Sequence, residues 1–243
     1  MGKLDGKVAL VTGGSRGIGK GIARGLAAEG AGLVLASRDQ SALARTAKEL
    51  EGEHCKAIGV PTDVSDEVQV EALFGETMDR FGRLDILVNN AGAFDGGPIE
   101  DLSADAWDNV IAVNLRAPFL CTRAAFPIMK EQGGGKIINI GSISAQRVRP
   151  NSAPYSTSKF GIWGLTQSTA LEGRPFRIAC SCLHPGNTLV ERRIDSGSDS
   201  DDEPMMSVDE LAEAAVLMAT LPAHVNMLEA IVLPVEQLYV GRG

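Results

Sequence analysis

Val8-Ala9-Leu10-Val11-Thr12-Gly13-Gly14-Ser15-Arg16-Gly17-Ile18-Gly19 passes from an unbroken apolar run into a glycine-rich turn. A helical pattern over Gly17–Glu29 follows at once. An apolar run this short, bounded by glycine, reads as a strand buried on both faces. Glycine allows the tight turn and lets backbone N–H groups come close to a ligand. The helix that opens behind it presents free N–H donors and a positive dipole end, which suits a phosphate. A glycine loop alone is a weak signal. One set between the first strand and the first helix carries more weight.

The same alternation continues outward. Leu33–Ala36, Ala57–Val60, Ile86–Val88, Ile137–Ile140 and Ile178–Leu183 read as further buried strands, and Ile231–Leu233 as a seventh. Gln40–Glu51, Asp66–Arg80 and Ser156–Leu171 have helical periodicity. Strands alternating with helices imply a parallel sheet covered on both faces. Right-handed crossovers then give a doubly wound α/β fold of about seven strands. No repeat or linker divides the 243 residues, so one domain over 1–243 is expected.

Composition narrows the function. With 44% hydrophobic residues the chain can bury a full core, and its net charge is −8. An acidic chain whose longest basic cluster is Arg192-Arg193 is a poor binder of nucleic acid or anionic membrane. No apolar run reaches a membrane span, and the N-terminal residues lack a signal-peptide core, so the chain reads as cytosolic. Four cysteines in a chain this long do not suggest a disulfide framework. Cys180 and Cys182 alternate in a strand and act as small apolar residues, so no metal site is expected. His54, His184 and His224 read as structural, although His184 adjoins the Pro185-Gly186 turn. The polar stretch Asp195–Glu203 reads as a solvated loop or a lid over a substrate site.

The chemistry points to Tyr155 and Lys159, thirteen residues beyond Ser142. Residues four apart share a helix face. An ammonium beside a phenol favours the phenolate, which suits the pair to pass a proton to or from a carbonyl or alcohol oxygen. Ser142 stands directly after the fifth strand and could hydrogen-bond the same oxygen; Ser144 stands near enough to compete for that role. Tyr155 is one of only two tyrosines.

Thr12–Gly19, Asn89-Asn90-Ala91-Gly92, Asn114, Ser142, Tyr155, Lys159 and Pro185-Gly186 occur in the order found in short-chain dehydrogenases/reductases. The chain resembles that family over nearly its full length. The resemblance implies a Rossmann-like fold and nicotinamide-dependent hydride transfer. It implies that Tyr155 is the general acid or base, with Lys159 beside it also reaching the ribose. Ser142 would polarise the carbonyl, and Asn114 would hold a water linking the lysine to solvent. Gly13, Ser15, Arg16, Ile18 and Gly19 would hold the adenosine and pyrophosphate. Asp63, with Val64, would bond the adenine, and Asn90, Ala91 and Gly92 would line the cleft. Asn89 would stabilise the sheet, and Pro185 and Gly186 would abut the nicotinamide. A homo-oligomer, dimer or tetramer, is implied, with helices from Asn114 and from Tyr155 as interface elements.

Two positions bear on cofactor choice. NAD-preferring sites commonly carry an acid at the end of the second strand. Here Ser37 holds that position and Arg38 follows, with Arg16 able to approach from the glycine loop. Two guanidinium groups suit a 2′-phosphate, so NADP(H) is expected. Asp39, if turned inward, would restore NAD(H). Thr188 arrives two positions earlier than the family's nicotinamide-contacting threonine, with Val190 at the usual place, and would reach the carboxamide through a shifted backbone. Arg147, Arg149, Arg192 and Arg193 oppose the acidic stretch at the entrance, so the substrate's charge is open. The expected activity is interconversion of a carbonyl and a secondary alcohol on a small ketone, 3-oxoacyl or hydroxy-acid-like substrate. A catalytically lapsed nicotinamide-binding regulator is the alternative.

Overall fold

The computed structural model describes residues 2–52, 55–191 and 203–239. The stretches read as strands become β1 (Val8–Thr12), β2 (Gly32–Ser37), β3 (Ala57–Pro61), β4 (Ile86–Asn89), β5 (Gly135–Ile140) and β6 (Ile178–Pro185). All join one parallel sheet in the order β3-β2-β1-β4-β5-β6, closed at its far edge by β9 (Glu229–Val232). That last strand starts two residues earlier than the expected Ile231–Leu233 and ends one residue earlier. Pro234 ends the run because it has no N–H for the ladder. A short parallel pair, β7 (Thr188–Leu189) with β8 (Met206–Ser207), stands apart from the sheet.

Helices cover both faces. α1 (Gly17–Ala28), α2 (Gln40–Leu50) and α3 (Glu67–Phe81) match the periodic segments closely. The helix around Tyr155, α6, runs from Ala153 to Gly173 and starts earlier than the periodicity suggests, with Pro154 in its first turn. Proline suits that place because the N–H it lacks would have no partner. α4 (Ala104–Ile111) and α5 (Ala117–Glu131) form one rod joined by a π-helical turn at Ala112–Arg116. α7 (Val208–Thr220) opens with a capping box between Ser207 and Glu210.

Side-chain alternation in the strands divides the core in two. Ala9, Val11, Leu33 and Leu35 pack with Ile22, Leu26, Leu43, Leu211 and Met218 on one face. Val8, Leu10, Val34 and Leu87 pack with Leu73, Leu120 and Met129 on the other. The four cysteines are free and buried. Cys180, Cys182 and His184 alternate along β6 and so share a face. Among the described residues no helix is long and apolar enough to cross a membrane. Nor is any group of three His, Cys, Asp or Glu side chains placed to hold a metal ion.

The strand order reverses at β1, which lies between β2 and β4. Helices leave the sheet in opposite directions there, and a crevice opens at the carboxyl ends of the strands. The glycine loop after β1 and the Asn90 loop after β4 form its two lips.

Candidate active site

The two lips are tied together. Thr12 Oγ1 accepts from the N–H groups of Asn90 at 3.0 Å and Ala91 at 3.1 Å. Asn90 Nδ2 donates back to Thr12 O at 2.9 Å and Gly13 O at 3.2 Å. Gly13 has φ +64°, a left-handed conformation that disfavours a side chain. A Cβ at Gly19 would overlap Gly13 O and the Asn90 amide. Thr46 in α2 fixes the loop by donating to Ser15 O at 3.0 Å. The loop is thus a rigid frame at the start of α1. Ile18 lies in the first turn of that helix and packs its side chain on the core. Arg16 offers no side-chain cap; instead Gly17 N–H donates to Glu191 Oε2 at 2.9 Å.

At the end of β2, Ser37 Oγ is buried and has no hydrogen-bond partner among the described residues. Such an atom costs about 1–3 kcal/mol unless a partner arrives. Arg38 beside it is exposed, as is Arg16. Asp39 is turned to α2, where its carboxylate accepts from Ala42 N–H at 2.9 Å. Asp63 accepts from Ser65 Oγ at 2.6 Å and Ser65 N–H at 3.0 Å. The Ser65 hydroxyl, helped by the Ser65 N–H and Arg38, outweighs the opposing effect of burial and holds its carboxyl below the usual aspartate range. Val64 is buried next to it and packs in the core.

Further along the crevice, Tyr155 sits in the first turns of α6, half-buried, with the Phe94 ring tilted against it at 5.2 Å between centroids. Among the described residues its hydroxyl has no hydrogen-bond partner. Lys159 is buried, its Nζ 5.6 Å from the Tyr155 ring centroid. The ammonium donates to Ile140 O at 2.8 Å, at the end of β5. Ser142 Oγ accepts from Ser144 N–H at 3.1 Å. That bond leaves the Ser142 proton free to donate. Ser144 is buried and contributes its main chain to the Ser142 turn.

Asn114 lies in the π-helical turn. Its amide exchanges bonds with Ala93, accepting from N–H at 2.7 Å and donating to O at 2.9 Å. It also donates to Ser158 Oγ at 3.2 Å, and Ser158 donates to Tyr155 O at 2.6 Å. The Asn114 side chain therefore links the loop after β4 to the turn that carries Tyr155. Gly92 passes close by, where a Cβ would make only ordinary contacts with Asn114 Oδ1 and Asn90 O. Asn89 donates to Asn139 Oδ1 at 2.8 Å, and Asn139 donates to Thr166 at 2.9 Å, a polar ladder from β4 through β5 to α6.

After β6, Pro185 ends the strand and Gly186 N–H donates to Val232 O at 2.8 Å. Thr188 is buried in β7, and its hydroxyl donates to Gly186 O at 3.2 Å. Val190 lies against Gly17. The tail packs on this same domain as far as Tyr239. Asn187 N–H donates to Gln237 Oε1 at 2.8 Å, the Tyr239 hydroxyl bonds Gln146, and the Arg147 guanidinium lies 5.5 Å over the Tyr239 ring. Arg192, Arg193, His54 and the stretch 195–202 lie outside the described residues. Phe94, Gln146, Glu191 and Tyr239 escape a motif reading. For Phe94 the available signal is an aromatic two positions past Gly92.

A doubly wound parallel sheet with a glycine loop at its reversal point defines a dinucleotide-binding α/β fold. Comparison with known proteins makes the class specific. Residues 7–201 match the model of the short chain dehydrogenase family. An uncharacterized oxidoreductase of Staphylococcus aureus strain MW2 is 36% identical over 232 residues, covering 96% of this chain and 99% of its own. The uncharacterized oxidoreductase YxjF of Bacillus subtilis is 36% identical over 247 residues, with 93% and 96% covered. Among solved structures, a metagenomic short-chain oxidoreductase in complex with NADP superposes with TM-score 0.84 at 36% identity, covering 96% and 98% of the two chains. An alcohol dehydrogenase from the archaeon Thermococcus sibiricus, complexed with 5-hydroxy-NADP, gives TM-score 0.84 at 31% identity, covering 95% and 97%. The chain belongs to the short-chain dehydrogenase family and is an oxidoreductase acting on CH–OH groups.

Proposed function

We propose that the protein is an NADP(H)-dependent carbonyl reductase or alcohol dehydrogenase working on a small ketone, 3-oxoacyl or hydroxy-acid-like substrate. The observation that carries this reading is the convergence of Tyr155, Lys159 and Ser142 at one end of the crevice whose other end is the glycine loop. Ser15, Arg16, Ile18 and the backbone around Gly13 and Gly19 would hold the pyrophosphate and adenosine. The buried, unpartnered Ser37 Oγ fits a ribose oxygen or its phosphate. Arg38, exposed beside it, and Arg16, exposed on the glycine loop, favour the 2′-phosphate of NADP(H). The commitment of Asp39 to the α2 cap weakens the case for NAD(H). The NADP complexes of the two similar structures agree with that preference.

The nicotinamide, when bound, supplies or accepts a hydride. Ser142, its oxygen held by Ser144 N–H, donates a hydrogen bond to the substrate oxygen and polarises the carbonyl while keeping its own proton. Tyr155 then gives its phenolic proton to that oxygen in reduction, or takes it in oxidation. Lys159 keeps a positive charge beside the phenol and can reach the ribose hydroxyls. Asn114 holds Ala93 and Ser158 in register, which keeps Tyr155 aimed. Proton transfer of this kind contributes about 10²- to 10⁴-fold. Residues 1–243 would work as one dinucleotide-binding and catalytic unit, in the cytosol, as a homo-oligomer.

The test is oxidation of NADPH and of NADH against a panel of ketones, diketones, quinones and 3-oxoacyl thioesters. Turnover with NADPH that is lost in Tyr155→Phe, with cofactor binding retained, is the expected result. Near-native turnover by Tyr155→Phe would reject the mechanism. Unchanged cofactor kinetics in Arg38→Glu would reject the NADP(H) assignment.

A further inference from the structure

His184 is fully buried at the end of β6, and its ring touches the main chain of Ser142. Nδ1 lies 3.2 Å from Ser142 N and 2.8 Å from Ser142 O. One ring nitrogen cannot serve both. Unprotonated, it accepts from the N–H; protonated, it donates to the carbonyl. Across the ring, Nε2 faces Glu229 Oε1 at 3.3 Å without hydrogen-bond alignment. Glu229 is held in turn, because Gln146 Nε2 donates to the same Oε1 at 2.8 Å, and the Tyr239 hydroxyl bonds Gln146. The titratable groups facing the ring are Glu229 from β9, Lys159 from α6 and Cys182 from β6 itself. Trp163 of α6 closes the remaining side, its ring edge-on at 6.1 Å.

We propose that His184 is a positioning residue for Ser142. Its protonation state selects which main-chain group of Ser142 the ring holds, and Glu229 biases that choice. This rests on the role proposed above for Ser142.

In the neutral ring with its proton on Nε2, the N–H faces the Glu229 carboxylate and Nδ1 accepts from Ser142 N–H. A proton added at Nδ1 breaks that bond, because two N–H groups then face each other, and makes one to Ser142 O instead. Both groups already lie within reach of Nδ1, so the exchange moves the ring's hold from the peptide before Ser142 to the peptide after it, and the turn that carries Ser142 Oγ and Ser144 N–H is restrained differently in the two states. Burial holds the imidazole below the ordinary histidine range. The Ser142 bond and Glu229 pull it up, and Lys159 pushes it down. The accepting arrangement is therefore the working one at neutral pH, and the exchange falls on the acid side of an ordinary histidine.

The chain has 3 histidines, so their ring signals can be assigned by single substitution and followed by nuclear magnetic resonance against pH. The Ser142 amide signal is expected to move with the same midpoint as the His184 ring. In Glu229→Gln, which removes the negative charge, both midpoints are expected to fall together. With a substrate in hand, kcat for reduction should drop about tenfold per pH unit below that midpoint, with KM for NADPH unchanged. His184→Asn should lower kcat and remove the acid limb. An amide that ignores the His184 titration overturns the proposal. So does a His184→Asn profile that is lower by one constant factor with the wild-type acid limb intact. The resonance measurement needs no turnover, so it stands or falls apart from the reductase reading, which Tyr155→Phe tests.

Discussion

Asp85 shows how a single carboxylate stabilises this sheet. It accepts from Val8 N–H and Lys7 Nζ at 3.0 Å each and from Arg83 Nε and Nη2 at 2.7 Å each, so it pins β1 to the approach of β4. Burial alone would raise its pKa. The Arg83 guanidinium, Val8 N–H and Lys7 ammonium outweigh that and hold it below the usual aspartate value. The unfolded chain therefore binds the proton first as pH falls. The stabilisation is present above about pH 4 and is lost as pH drops through the depressed folded value. Asp85→Asn should cost about 1–3 kcal/mol in urea unfolding at neutral pH, a figure kept low because Lys7 and Arg83 are each nearly half exposed. The gap to wild type should close in acid; a gap independent of pH would contradict the assignment. Tyr155, Lys159 and Ser142 were legible as candidates from their types and spacing. The carboxylate partner of His184 was not, because Glu229 lies 45 residues further along the chain and only the β6–β9 register brings it close.

At the scale of elements, the junctions matter more than the rods. α1 begins without a side-chain cap from Arg16, and Glu191 supplies the carboxylate instead. A pyrophosphate bound at that N-terminus would compete for the same N–H. Glu191→Gln should therefore tighten NADPH binding by calorimetry about two- to fivefold, from the roughly 0.3–1 kcal/mol a carboxylate gains at a helix N-terminus. Weaker binding would show that the carboxylate helps the cofactor site. The π-helical turn at Ala112–Arg116 is a second junction, since wide turns of this kind inside helices often mark functional sites. Asn114→Ala leaves Ala93 N–H without its acceptor and should cost about 1–3 kcal/mol. It should also lower kcat more than the affinity for NADPH; an equal loss in both would place its role in folding alone. The same turn explains why α4 and α5 escape a periodicity reading. One wide turn shifts the 3.6-residue register of apolar positions halfway along. α7 escapes because its apolar residues are not confined to one face: Leu211, Ala215 and Met218 are buried, Val208 and Val216 meet Gly21 and Gly25 of α1, and Leu217 is half exposed, so no clean stripe stands out.

For the molecule as a whole, large aromatic side chains stand exposed on packed helices. Phe119 of α5 and Phe160 of α6 are nearly half accessible, and Trp107 of α4 is partly so. A homo-oligomer would cover them. Light scattering should then give a multiple of 25.5 kDa, and Phe119→Glu with Phe160→Glu should shift it toward the monomer; a monomeric wild type would exclude this. The sequence by itself determined the layer order and the position of the crevice. Strands buried on both faces must be continuous apolar runs, helices between them must be two-sided, and right-handed crossovers leave few topologies. It also nominated the trio proposed for the chemistry, because helix spacing and a strand end fix their relative positions locally. Only the tertiary structure decided which way Asp39 points, what lies on the α1 N-terminus, and which carboxylate faces His184. Each of those depends on a side chain meeting a partner distant in sequence or choosing between two local partners, and no local periodicity encodes that choice.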